Sequence, residues 1–151
     1  MPESDYKSVI RNGAVLLPPV SRTKNELIVE MVRALAARNL VSDAESTVKA
    51  VLARESLMST GMQHGVAIPH AKTDTTDSIV TAVAVIPEGM DFGSVDGEPS
   101  RIFILTVSSV LRSGPHIRYL AEIGRLLERP SVRSRILKAA TPDELVSIMT
   151  E

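Results

Sequence analysis

The chain has no cysteine and no tryptophan, and its charges nearly cancel: 17 Lys and Arg against 18 Asp and Glu, for a formal net charge of −1. Without cysteine there is no disulfide, no thiolate-held zinc, no iron–sulfur cluster and no thiol nucleophile. A cysteine-free chain also suits the cytoplasm. Without a basic excess it lacks the electrostatic footprint of a dedicated nucleic-acid binder, so no nucleic-acid partner is expected. Long apolar runs are missing too. Ile79–Pro87 and Ile102–Val107 fall far short of the roughly 20 residues a membrane helix needs. Asp5, Lys7 and Arg11 occupy the first twenty residues, with no apolar stretch of signal-peptide length before them. The expectation is a soluble, cytoplasmic protein without membrane insertion. Also absent are a GxxxxGK[ST] phosphate loop, a Rossmann glycine triplet, a GxSxG elbow and an HExxH pair.

What is present fits one globular unit. The 151 residues are 44% hydrophobic and 23% charged, and a chain of this length buries about 68–70% of its unfolded surface, enough for a core without staples. No repeat, low-complexity tract or linker divides it. Ala14–Leu17, closed by Pro18-Pro19, reads as an opening strand. Ser21 or Thr23 offers a cap for a helix carrying Ile28, Met31, Val32 and Leu35 through about Arg38. Ser42-Asp43-Ala44-Glu45 reads as a capping box for a helix with Ala44, Val48, Val51 and Leu52 on one face, reaching about Glu55. Ser59 to Pro69 lacks periodicity and reads as a loop with a short strand at Val66–Ile68. Ile79–Ile86 and Arg101–Val107 are apolar on both alternating faces, the pattern of strands covered on both sides. Asp96-Gly97 marks a tight turn. Beyond Ser113-Gly114-Pro115 the spacing predicts a helix with Ile117, Leu120, Gly124 and Leu127 on its inner face. Pro130 breaks it, Ser131–Ala139 resumes, and Thr141 caps a last helix. The pattern predicts an α/β domain with a mixed sheet sandwiched between helical layers.

Chemistry concentrates in Arg54-Glu55 and the run Ser59-Thr60-Gly61-Met62-Gln63-His64-Gly65-Val66-Ala67-Ile68-Pro69-His70-Ala71. Pro69 stiffens the backbone immediately before His70 and constrains Ile68. An imidazole near neutral pH is mostly uncharged and therefore nucleophilic, able to accept a phosphoryl group. The dianionic product needs an arginine, helix N-terminal amides or a second imidazole nearby. Arg54 ends a helix just before the loop, and His116 stands in the first turn of a later helix. Each has an ordinary reading as well: a surface or core-satisfying histidine for His64 and His116, a last-turn partner of the helix dipole for Arg54. Three histidines could instead hold zinc, but His64 and His70 lie on a loop with no accompanying ligand pattern. No metal and no cofactor is expected. Asp74 and Asp77 read as loop solvation.

The run Arg54-Glu55, Ser59-Thr60-Gly61 and Gly65-Val66-Ala67-Ile68-Pro69-His70 resembles the signature of the enzyme IIA domains of the fructose/mannitol class of the bacterial phosphotransferase system. That family includes the nitrogen-regulatory IIA proteins. The likeness continues through Met90-Asp91-Phe92, Asp96-Gly97-Glu98-Pro99, Ile102–Leu105, His116, Leu120-Ala121 and Thr141–Leu145. It covers all but the first dozen or so residues, which gives one domain over 1–151 with residues 1–12 as a lead-in. The resemblance implies the mannitol/fructose-type IIA fold, a phosphotransferase activity, and His70 as the residue phosphorylated by the phosphocarrier HPr. His116 would hydrogen-bond the phosphate or the His70 ring, and Arg54 would neutralise phosphoryl charge. The acceptor would be a IIB domain or a regulatory target protein, and a freestanding chain leans to the nitrogen-regulatory type.

His64 stands where the family is expected to have a small or amide residue, and is a candidate modulator of His70. Ser100 and Ile117 depart from the family pattern with little consequence. Met58, Met62 and Val66 are candidates for a partner-docking surface. Two alternatives are a degenerate binding module without phosphotransfer and a zinc-dependent hydrolase built on the three histidines. The retention of Arg54, His70 and His116 together speaks against degeneracy.

Overall fold

The computed structural model describes residues 5–111 and 113–151, the side chain of Ser113 excepted. Helix α1, Tyr6–Asn12, starts where the Asp5 carboxylate accepts the Lys7 amide, and it buries Val9 and Ile10. It occupies the stretch read as a lead-in, whose residues 1–4 lie outside the described residues. Two apolar side chains in seven make no periodic stripe, so nothing in the sequence announced it. Strand β1, Ala14–Leu16, follows. A Cβ on Gly13 would lie 2.4 Å from the Thr81 carbonyl oxygen, so β1 enters the sheet at a contact only glycine permits.

Of the two candidate caps for α2, Lys24–Ala37, Thr23 is the one used; its hydroxyl accepts the Glu26 amide. Leu27, Ile28, Met31, Val32 and Leu35 form the fully buried stripe. Helix α3, Ala44–Leu57, is capped by Asp43, not by Ser42. The Asp43 carboxylate accepts the Ser46 amide at 3.1 Å, whereas the Ser42 amide ties back to the Thr75 carbonyl. A carboxylate at the positive end of the helix is the better acceptor.

The sheet contains β2 (Val66–Ala67), β3 (His70–Thr73), β4 (Ile79–Met90) and β5 (Ser100–Ser109) besides β1. Its order is β1-β4-β5-β2, with β3 also on β5. β4 and β5 are antiparallel and the other pairings are parallel, so the sheet is mixed. β2 and β3 keep one register: Val66 faces Ile102 and Ala67 faces Phe103, then His70 faces Thr106 and Thr73 faces Ser109. They are a single edge strand interrupted at Pro69, which cannot donate to the ladder but whose carbonyl accepts the Thr106 amide at 2.9 Å. β3 escaped the sequence reading because His-Ala-Lys-Thr carries no hydrophobic signal.

Two cores flank the sheet. One packs α2 and α3 on Ala71, Ala82, Phe103, Leu105 and Val107; the other packs α1 and the three C-terminal helices on Val83, Val85, Ile102 and Ile104. This is the expected sandwich. The C-terminal helices are α4 (Ser113–Leu127), α5 (Pro130–Lys138) and α6 (Pro142–Met149), the last capped by the Thr141 hydroxyl. In α4 the inner stripe is His116, Tyr119, Ile123 and Leu127, while Ile117 is 63% exposed. The expected stripe was rotated about one residue, because an apolar pattern has no place for the buried polar His116.

Candidate functional site

The loop before β3 is held by a buried carboxylate. Glu55, on the inner face of α3, accepts the Thr60 amide at 2.6 Å and the Thr60 hydroxyl, and pairs with Lys24 at 3.0 Å. Lys24 also donates to the Phe92 carbonyl and lies over the Phe92 ring, 4.7 Å from its centroid. Ser59 donates to that same carbonyl at 2.7 Å and accepts the Gly61 amide. Gly61 then bridges Ala67, and a Cβ there would meet the Ser94 hydroxyl oxygen at 2.7 Å. The Ser-Thr-Gly element thus docks the loop against β2 and the residue 92–95 segment.

From that base the edge strand presents His70. Its Nδ1 lies 2.8 Å from the Ile68 carbonyl oxygen. A carbonyl only accepts, so in the neutral ring the proton is on Nδ1 and the lone pair is on Nε2. The His116 ring lies 5.6 Å away, centroid to centroid, at an interplanar angle of 57°. His116 is buried in the first turn of α4, and its Nδ1 shares a hydrogen bond with the Ser108 hydroxyl. Burial, reinforced by the positive charges of His70 and Lys72, lowers its pKa to about 4. It is therefore neutral at pH 7, and a nearby dianion would favour its protonated form.

Arg54 reaches the site from the other helical layer. It sits in the last turn of α3, where its Nη1 donates to the Met58 carbonyl at 3.2 Å. An open cleft of about 440 Å³ is lined by Arg54, His70, Lys72, His116, Ile117 and Leu120. Lys72 was missed in the sequence. The signal that finds it is the strand period of two, which puts Lys72 on the same face of β3 as His70. A second cleft of about 370 Å³ shares Arg54, His70 and Leu120 and is otherwise lined mainly by Ser59, Thr60, Met62, Ile68, Ala121 and Gly124. His70 stands between a cationic cleft and a largely apolar one.

His64 is exposed, has a left-handed backbone (φ 66°), and lines a separate small cavity with Met62, Gln63, Val66 and Glu128. The structure brings Arg54, His70 and His116 together on one cleft and sets His64 outside it. Of the three candidate docking residues, Met58 and Met62 are exposed, whereas Val66 belongs to the core. Its place in β2, opposite Ile102, explains the difference. Among the described residues, no three His, Cys, Asp or Glu side chains are placed to hold a metal ion, and no helix is long and apolar enough to cross a membrane.

The family described as "Phosphoenolpyruvate-dependent sugar phosphotransferase system, EIIA 2" matches residues 8–151, and the chain belongs to it. It is 31% identical to the nitrogen regulatory protein of Pseudomonas aeruginosa over 82% of this chain and 81% of that one. It is also 31% identical to the fructose-specific EIIABC component of Bacillus subtilis over 87% of this chain, although it spans only 21% of that relative's length. Among solved structures it is similar to IIA-Ntr of Neisseria meningitidis (TM-score 0.85, 24% identity, covering 95% and 98% of the two chains). It is likewise similar to IIA mannitol of Escherichia coli (TM-score 0.76, 25% identity, 89% and 94%). The fold is that of the mannitol and nitrogen-regulatory IIA proteins, and the chain is a component of the phosphotransferase class.

Proposed function

We propose that the chain is a cytoplasmic histidine phosphocarrier in which Nε2 of His70 accepts a phosphoryl group from phospho-HPr. One observation carries this reading: the Ile68 carbonyl holds the proton on Nδ1 of His70, leaving the Nε2 lone pair at a cleft lined by Arg54, Lys72 and His116. In the transfer, the bond from phosphorus to the donor imidazole breaks as the bond to Nε2 forms, and the donor ring keeps the electron pair. His70 retains its Nδ1 proton, and the positive charge its ring gains is stabilised by the Ile68 carbonyl dipole. Arg54 and Lys72 neutralise the equatorial oxygens. His116, neutral beforehand, hydrogen-bonds the phosphate, which raises its proton affinity. Positioning and electrostatics supply most of the catalysis, as is usual in phosphoryl transfer.

The group is then passed to a IIB domain or read by a regulatory target. Relatives of both kinds support the pair of outputs, and one solved neighbour is IIA mannitol in complex with phosphorylated IIB. His64, outside the cleft, would act on His70 only through the loop they share. The test is intact-mass spectrometry after incubation with phosphoenolpyruvate, enzyme I and HPr. One acid-labile phosphate is expected on the wild type and none on a folded His70→Ala variant. A phosphate on that variant would overturn the assignment.

A further inference from the structure

His116 meets the sheet through one hydroxyl. Ser108 is the register partner of Lys72 in β3, as Thr106 is of His70, so these four side chains share the face toward α4. Ser108 is completely buried. Its hydroxyl is hydrogen-bonded to Nδ1 of His116, which stands over it from the first turn of α4.

The direction of that bond follows from counting protons. The His116 ring is neutral at pH 7, so one of its nitrogens carries a hydrogen and the other a lone pair. A hydrogen on Nδ1 would have to point at Ser108, and the serine hydrogen would then need an acceptor elsewhere. A buried O–H without an acceptor is costly. Among the described residues, the partner of the Ser108 hydroxyl is Nδ1 of His116. With Ser108 donating, the serine hydrogen and the Nδ1 lone pair are both satisfied, and the ring's own hydrogen lies on Nε2. Because Nδ1 meets the sheet, Nε2–H is turned away from it, on the side of the cleft that His116 shares with Arg54, His70 and Lys72.

We propose that Ser108 is a positioning residue of the site: by donating to Nδ1 it holds His116 with Nε2–H toward the phosphoryl group on His70. The two histidines are thereby fixed in opposite tautomers by different partners. The Ile68 carbonyl accepts the Nδ1 proton of His70 and leaves Nε2 free to attack. The Ser108 hydroxyl fills the Nδ1 lone pair of His116 and leaves Nε2–H to donate. A His116 ring turned over would present a lone pair to the dianion and repel it. This inference rests on the phosphocarrier reading for what Nε2–H donates to, but not for the state of the ring.

Two measurements on the full chain test it. Imidazole 15N NMR of the unphosphorylated protein at pH 7 is expected to show His116 protonated on Nε2, with Nδ1 an unprotonated, hydrogen-bonded nitrogen. His70 should show the reverse pattern. A proton on Nδ1 of His116 overturns the proposal. In single-turnover phosphorylation by phospho-HPr, Ser108→Ala is expected to lower the maximal rate roughly tenfold, the lower end of what losing an imidazole's outer partner costs. Its Nδ1 resonance should move to that of an unbonded nitrogen. Ser108→Thr, which keeps the hydroxyl, should restore both the resonance and most of the rate. A folded Ser108→Ala chain that works at the wild-type rate, or a Ser108→Thr chain as slow as Ser108→Ala, also overturns the positioning role. Should Ser108→Ala fail to fold, the wild-type spectrum and Ser108→Thr still decide it. A wild type that accepts no phosphate defeats the phosphocarrier reading, while its spectrum still decides how Ser108 holds His116.

Discussion

The two faces of β5 put the same strand to different uses. On the face toward α2 and α3, Phe103, Leu105 and Val107 are fully buried and apolar to the strand's end. On the face toward α4, Ile102 and Ile104 are equally buried, but the next positions are Thr106 and Ser108. One face is a core throughout; the other is a core for half its length and then a polar floor beneath His70 and His116. The difference shows how a small domain combines rigidity with a charged site. The apolar face secures the strand, so that the polar face can hold hydroxyls and an imidazole at positions they would not favour energetically by themselves.

If that division is right, truncation on the two faces should separate stability from phosphorylation. Leu105→Ala is expected to cost about 2–5 kcal/mol, as large-to-small core changes do, while leaving phosphate acceptance per folded molecule intact. Ser108→Ala should cost roughly 1–3 kcal/mol through the unpaired His116 nitrogen and also slow acceptance. Urea denaturation followed by single-turnover phosphorylation measures both, and equal effects from the two variants would break the comparison.

Acid probes the polar face without mutation. The folded pKa of His116, about 4, lies below the ordinary 6.5, so the unfolded chain takes up the proton first. Its contribution is therefore complete above pH 6.5 and is lost as pH falls toward 4, amounting to on the order of 3 kcal/mol. His116→Asn should flatten that part of the stability–pH curve. A curve identical to that of the wild type would mean that His116 is not held neutral by its surroundings.

Arg54→Met sharpens the contrast from outside the sheet. Acceptance should fall roughly a hundredfold, as when one charge-stabilising donor is removed. Stability should stay within about 0.5 kcal/mol, because the side chain is partly exposed. The smallest effect belongs to the rim: Leu57, 82% exposed, should tolerate serine within about 0.5 kcal/mol, checked by thermal unfolding.

The parts of this architecture legible in the sequence are those whose signal is local. β4 and β5 announced the covered sheet because both of their faces are apolar. α2 announced itself through cap and stripe together, and α6 through its Thr141 cap. β3 and α1 did not, since His70–Thr73 and Tyr6–Asn12 carry little hydrophobic pattern and owe their structure to what packs against them. The rotated stripe of α4 has the same origin. A buried histidine over Ser108 and a buried Tyr119 over Thr81 and Thr106 depend on partners distant in sequence, which periodicity does not see. Arg54, His70 and His116 were grouped on the chemistry a phosphohistidine needs, and family resemblance decided between that and their ordinary readings, because residues from two helical layers and an edge strand share no local pattern. Lys72 was within reach of the period-two rule, had β3 been recognised as a strand.

The shared register of β2 and β3 across Pro69 carries a consequence for length variation. Adding or deleting one residue between Val66 and His70, with β2 still in place, would turn the next strand over, delivering Ala71 to the cleft and His70 to the layer beneath α2 and α3. Turns such as Thr75–Ser78 and Val95–Glu98 lie outside this frame and can lengthen without disturbing it. Insertions and deletions among homologues should therefore collect in those turns and spare the stretch from Val66 to Thr73, where the histidine's phase is counted.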